Sequence, residues 1–90
     1  MESVMQSQRE RCYLCQQRRP LEEHHCLHGT SNRKNAERYG LKVYLCRQCH
    51  QNLHDKGLND VRLIKDAQTY FEANLGTRED FRAIFGKSWL

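Results

Sequence analysis

The chain predicts a small α+β domain stapled by a metal ion, and three observations carry that prediction. Its 90 residues make one domain at most, and at this size an apolar core alone is marginal, so a disulfide, a metal or a partner supplies the missing stability. Cysteine recurs as two Cys-x-x-Cys pairs, Cys12/Cys15 and Cys46/Cys49. Short strand-like runs lead up to the second pair and helix-like runs follow it. With 38% hydrophobic and 29% charged residues, the composition suits a folded, well-solvated domain rather than a disordered one. No apolar run approaches the roughly 20 residues that span a bilayer, and MESVMQSQRERC lacks the apolar stretch of a signal peptide. The expectation is a cytoplasmic protein without a membrane partner, a setting in which thiols bind metal more readily than they pair.

Residues 1–11 read as a loose or helical lead-in. CYLC, residues 12–15, followed by polar QQRRP, has the form of a zinc knuckle that opens a short hairpin. After Pro20, LEEHHCL (21–27) fits a short strand, with a turn as the alternative. Gly29 and Thr30 break the chain, and Ser31 or Asn32 is placed to cap a short helix through RKNAERY that stops at Gly40. LKVYL (41–45) is the clearest strand, with Leu41, Val43 and Leu45 on one face. It runs into the second knuckle, CRQC (46–49), and then into a helix from Gln48 to Lys56 ending near Gly57. Asn59 or Asp60 caps the next helix, where Val61, Ile64, Ala67, Gln68, Phe71 and Leu75 keep a 3.6-residue period up to Gly76. Thr77 with Asp80 approximates a capping box for a last helix through Ala83 and Ile84, closed at Gly86. The expected organisation is thus a lead-in (1–11), a core (12–56) and a helical cover of the same domain (57–90).

Cys12, Cys15, Cys46 and Cys49 can present four thiolates to one tetrahedral ion. A closed four-sulfur shell is that of structural zinc, and it would make folding metal-dependent. Cys26 reads as a small core residue. Five histidines accompany the cysteines. His50 and His54, four apart on the helix after the second knuckle, lie one turn apart on one face and can chelate one ion. His24 and His25 are adjacent on a candidate strand and point to opposite faces, so only one easily joins that ion. The other is free to act as a base near neutral pH. His28, just before Gly29, reads as a loop residue.

The order CYLC, HHC, YLCRQCHQNLH resembles the HNH family of ββα-metal nucleases in its zinc-stapled, treble-clef-like form. HHCLHGTSNRKNAERYGLKVYLC looks like the small phage- and prophage-type members of bacteria. The resemblance spans about residues 12–56, with a weaker likeness through FRAIFGKSWL. It implies His24, His50 and His54 as ligands of a catalytic ion and His25 as the general base that activates water. The ion would be Mg²⁺, Mn²⁺, Ni²⁺ or Zn²⁺, beside the structural Zn²⁺ of the cysteines. The family's central Asn falls at Leu41 here, so Asn32, or Asn35, is the candidate to orient the base in its place.

What the resemblance implies is an endonuclease that hydrolyses DNA phosphodiester bonds in a bacterial cytoplasm, a homodimer being one route to symmetric double-strand cutting. The formal charge of +4 suits an anionic partner. Arg33, Lys34 and Arg38 between the histidine pair and the second strand, with Arg18 and Arg19 in the first hairpin, are candidates for a phosphate track. The alternative, which Leu41 favours, is a noncatalytic zinc module of the same fold that binds nucleic acid or a host protein, as a phage regulator or inhibitor would.

Overall fold

The computed structural model describes residues 1–90. Two five-residue strands, β1 (Leu21–His25) and β2 (Lys42–Cys46), pair antiparallel, with Leu21 opposite Cys46 and His25 opposite Lys42. The link between them is not a tight turn but a helix, α1 (Thr30–Tyr39). β2 runs KVYLC, rich in the β-branched and aromatic residues that suit a pleated surface. Leu41, Val43 and Leu45 are fully buried as the alternation predicts. The opposite face is covered too: Tyr44 and Lys42 are each only 4% exposed, and the Lys42 ammonium is paired with Glu37 and Glu23.

Cys46 ends the strand and caps the next helix, α2 (Arg47–Lys56), its sulfur accepting from the Cys49 backbone N–H at 3.5 Å. The second knuckle is therefore a strand-to-helix junction, and α2 follows β2 with no residue between them. α3 (Asp60–Asn74) and α4 (Arg78–Phe85) complete the chain. From α3, Leu63, Ile64, Ala67 and Phe71 join the strands' core, and Phe81 and Phe85 of α4 close over them. Phe71 meets Tyr39, Phe81 and Phe85 edge-on at centroid distances of 5.8, 5.4 and 6.5 Å, the arrangement that aromatic quadrupoles favour. The helical tail is thus a packed cover.

Several local expectations are corrected. α1 starts at Thr30 behind Gly29, whose φ of 96° and ψ of 151° exclude most side chains, so neither Ser31 nor Asn32 is a cap. Asn32 and Asn35 instead donate to the carbonyls of Phe85 and Ile84, tying α1 to the end of α4. Val61 and Leu75 are about half exposed, at 52% and 44%, because the buried stripe of α3 runs through Leu63 rather than through its ends. The Thr77–Asp80 capping box forms in both directions.

The lead-in is neither helical nor loose. Val4 donates its N–H to the Gly40 carbonyl, and the Ser3 hydroxyl donates to the Lys42 carbonyl. The buried Gln6 side chain accepts from Tyr44 N–H at 2.8 Å and donates to the Arg11 carbonyl. With Tyr13 N–H on the Tyr44 carbonyl, these contacts occupy the side of β2 that faces away from β1. No helix is long and apolar enough to cross a membrane.

Candidate metal centre

The first knuckle and the β2–α2 junction bring Cys12, Cys15, Cys46 and Cys49 together, with all four sulfurs within 4.8 Å of one another. Cys15 and Cys46 sulfurs lie 3.8 Å apart. Zn–S bonds of about 2.3 Å put the corners of a tetrahedron about 3.8 Å apart, so the spacing fits a four-thiolate zinc. The thiols differ in acidity. Burial acts to raise Cys12, but backbone hydrogen bonds from Cys15, Cys46 and Leu14 bring it down to about 7. Burial, reinforced by the neighbouring cysteines, pushes Cys49 well above the usual thiol range. Zinc would displace the remaining protons, since a coordinated thiol ionises outright. Cys26 takes no part: it is wholly buried, its thiol pushed up by burial, with its sulfur against that of Met5.

A second donor set is built by β1 and α2. His24, His50 and His54 have ligand atoms within 4.8 Å of one another, and the His24 ring meets those of His50 and His54 at 5.2 and 5.9 Å. The Nε2 atoms of His50 and His54 are 3.0 Å apart, and metal–nitrogen bonds of about 2.0–2.1 Å place neighbouring ligands about 2.8–3.4 Å apart between octahedral and tetrahedral angles, so the pair can share an ion. His24 is 4% exposed, and its Nε2 is the one buried side-chain nitrogen or oxygen without a hydrogen-bond partner. Burial first, and then the nearby His50, His28 and His54, lower its pKa to about 4, so it offers a lone pair at any pH near neutral. A neutral, buried, unpaired nitrogen beside two others fits a cation. Three imidazoles suit a transition metal better than Mg²⁺.

Comparison with protein-family models, curated proteins and solved structures finds no match to this chain.

Three carboxylates that the sequence did not single out complete it. Glu22 Oε1 lies 2.8 Å from His50 Nδ1. A carboxylate only accepts, so Nδ1 carries the hydrogen and Nε2 is left bare toward His54, the outer-sphere arrangement common at metal-bound histidines. Strand alternation puts Glu22 on the face of His24, a signal that the sequence held. Glu37, from α1, lies 2.8 Å from His25 Nε2 and 2.9 Å from Lys42 Nζ. Its carboxyl is held far below the usual range by hydrogen bonds from the N-terminal ammonium, His25 and Lys42. Asp60, the first residue of α3, reaches His28.

A cavity of about 410 Å³ is lined by His24, His25, His28, His50, His54 and Arg33. His25 therefore borders the histidine cluster without belonging to the triad. Arg33 and Lys34 also line an adjoining groove with His25 and Glu37. Arg38 lies apart, over the Tyr39 ring, and Arg18 pairs with Glu10 in the first hairpin. Asn32, the expected orienting residue, is bonded to Phe85; the group that holds His25 is Glu37.

Proposed function

We propose that this chain is a metal-dependent endonuclease of the HNH, ββα-metal type that hydrolyses DNA phosphodiester bonds. The observation that supports it most is the buried, unpaired Nε2 of His24, set against the helical pair His50/His54 in a cavity that His25 also lines. A structural role alone gives no reason to bury an unpaired imidazole beside two others.

In this reading His25 is the general base. Because Glu37 accepts from Nε2–H, the lone pair of the neutral ring is at Nδ1, which takes the proton of the attacking water. Glu37 fixes the tautomer, and Lys42 holds Glu37, so the pair takes over the orienting role that the family gives to Asn. Leu41, at that position, is fully buried and has no polar atom to offer. Arg33 at the cavity and Lys34 in the groove beside it supply cationic contacts for the backbone phosphates. His24, His50 and His54 would hold a divalent ion, which when bound would supply positive charge to the reacting phosphate and its leaving oxygen.

The test is conversion of supercoiled plasmid to nicked or linear DNA with Mn²⁺, Ni²⁺, Zn²⁺ or Mg²⁺, for wild type and His25→Ala, both checked for retained zinc and fold. Cleavage should fall by about 10²–10⁴-fold in the variant. An inert wild type that still retards DNA on a gel would favour the second reading, a noncatalytic zinc module, for which the loss of the family's Asn at Leu41 speaks. Equal cleavage by both proteins would remove His25 from the mechanism.

A further inference from the structure

His24 belongs to two donor sets. One is the triad with His50 and His54; the other is His24, His28 and Asp60, again with ligand atoms within 4.8 Å of one another. The His28 ring stands edge-on to His24 at 5.9 Å, the same separation as His54 on the other set. We propose that His28 and Asp60 form a second seat for the cavity's ion, so that one divalent transition metal has two alternative sites that share the buried His24. This rests on the reading that the histidine cavity holds an ion at all.

Asp60 stands in the first turn of α3, where a carboxylate suits the helix dipole, yet it does not cap that turn. Asn59, the residue before α3, makes no side-chain cap bond, and the adjacent Asp60 carboxylate does not turn back on its own helix end. It reaches His28, with Oδ1 2.5 Å from Nε2. Neither residue is buried, with side chains 47% and 28% exposed, so an arriving ion meets this pair at the surface. Behind the pair stands the unpaired nitrogen of His24, which the two donor sets share.

Two features distinguish the seats. A neutral imidazole has one acceptor nitrogen, so His24 serves one ion at a time and the seats exclude each other. The donors differ as well: three imidazoles on one side, two imidazoles and a carboxylate on the other. The carboxylate-containing seat is the harder of the two and suits Mn²⁺ or Fe²⁺, whereas the three-imidazole seat suits Zn²⁺ or Ni²⁺. The identity of the metal would then decide which side of His24 it occupies.

The experiment uses the full chain with its thiolate site filled with zinc. Co²⁺ is added as probe, counted by dialysis with metal analysis and located by paramagnetic shifts of the histidine ring protons. Wild type should bind one cobalt. His50→Ala/His54→Ala should still bind one, about 10-fold or more weakly, with His28 shifted. His28→Ala/Asp60→Asn should bind one with His50 and His54 shifted, and the quadruple variant none. Wild-type binding that vanishes in folded, zinc-retaining His50→Ala/His54→Ala overturns the second seat alone. Two cobalt ions in wild type overturn the sharing of His24, and none overturns the cavity reading with it. Wild type also carries a test without substitutions: Mn²⁺ should broaden the His28 signals at least as strongly as those of His54. Broadening confined to His50 and His54 overturns the proposal.

Discussion

A buried side-chain nitrogen left without a partner costs a fold on the order of 1–3 kcal/mol, and His24 Nε2 is such an atom. His24→Leu should therefore stabilise the zinc-loaded chain, with the cavity ion absent, by about 1 kcal/mol in urea unfolding, while abolishing cobalt uptake in the cavity. A destabilised variant would mean that the imidazole is retained for packing. Glu22→Gln addresses the neighbouring ring. By releasing His50 Nδ1 from a charged acceptor, it should weaken metal binding in the cavity by about 10–100-fold and leave the thiolate zinc untouched. Glu37 sets an acid limb. Its carboxyl titrates well below the ordinary 4.5, through hydrogen bonds from the N-terminal ammonium, His25 and Lys42. Below pH 4.5 the unfolded chain takes up a proton that the folded chain refuses. The stabilisation is complete above that pH and drains away as the pH falls. In thermal unfolding Glu37→Gln should flatten the pH dependence on the acid side of 4.5; an unchanged slope would show that the network adds nothing to folding.

Among the elements, the helix ends make the sharpest statements. Thr77→Ala removes one half of a capping box present in both directions and should cost about 0.5–2 kcal/mol in denaturant unfolding. Gly40 stops α1 at φ 71°, and a Cβ there would stand 2.5 Å from the Glu2 carbonyl oxygen. Gly40→Ala should therefore cost more than about 1 kcal/mol, beyond the usual price of a left-handed residue. That stop was legible, as were β2 and the Thr77 cap, because each is written in a few consecutive residues. The start of α1 was not, since Ser31 and Asn32 are good caps in isolation and only the backbone of Gly29 shows where the turn falls. The same divide runs through the site. The two Cys-x-x-Cys pairs and the His50/His54 pair are spacings written within a few consecutive residues. Glu37 and Asp60 meet their histidines only through the packing of α1 and α3, and nothing in their local sequence announces it.

For the molecule as a whole, the four cysteines join the first hairpin to the junction of β2 and α2, and residues 16–45 between the knuckles include β1, α1 and most of β2. A tight chelator should therefore unfold the chain rather than merely empty a surface site, with loss of the near-ultraviolet circular dichroism of Tyr39, Phe71 and Trp89. Retention of that signal after zinc removal would assign the stability to the aromatic core of α3 and α4 instead. The lead-in has a different importance at this scale. A sheet of two strands ordinarily leaves unpaired N–H and C=O groups along its margins, ready to recruit a strand from another molecule. Here Ser3, Gln6 and Tyr13 occupy the outer margin of β2 one group at a time, and they do so without themselves being a strand. Removing residues 1–6 would uncover that margin beside Tyr44, so the shortened protein should self-associate with rising concentration in sedimentation more strongly than the full chain. On that expectation the first residues guard a sheet edge, a task separate from any chemistry at the histidines.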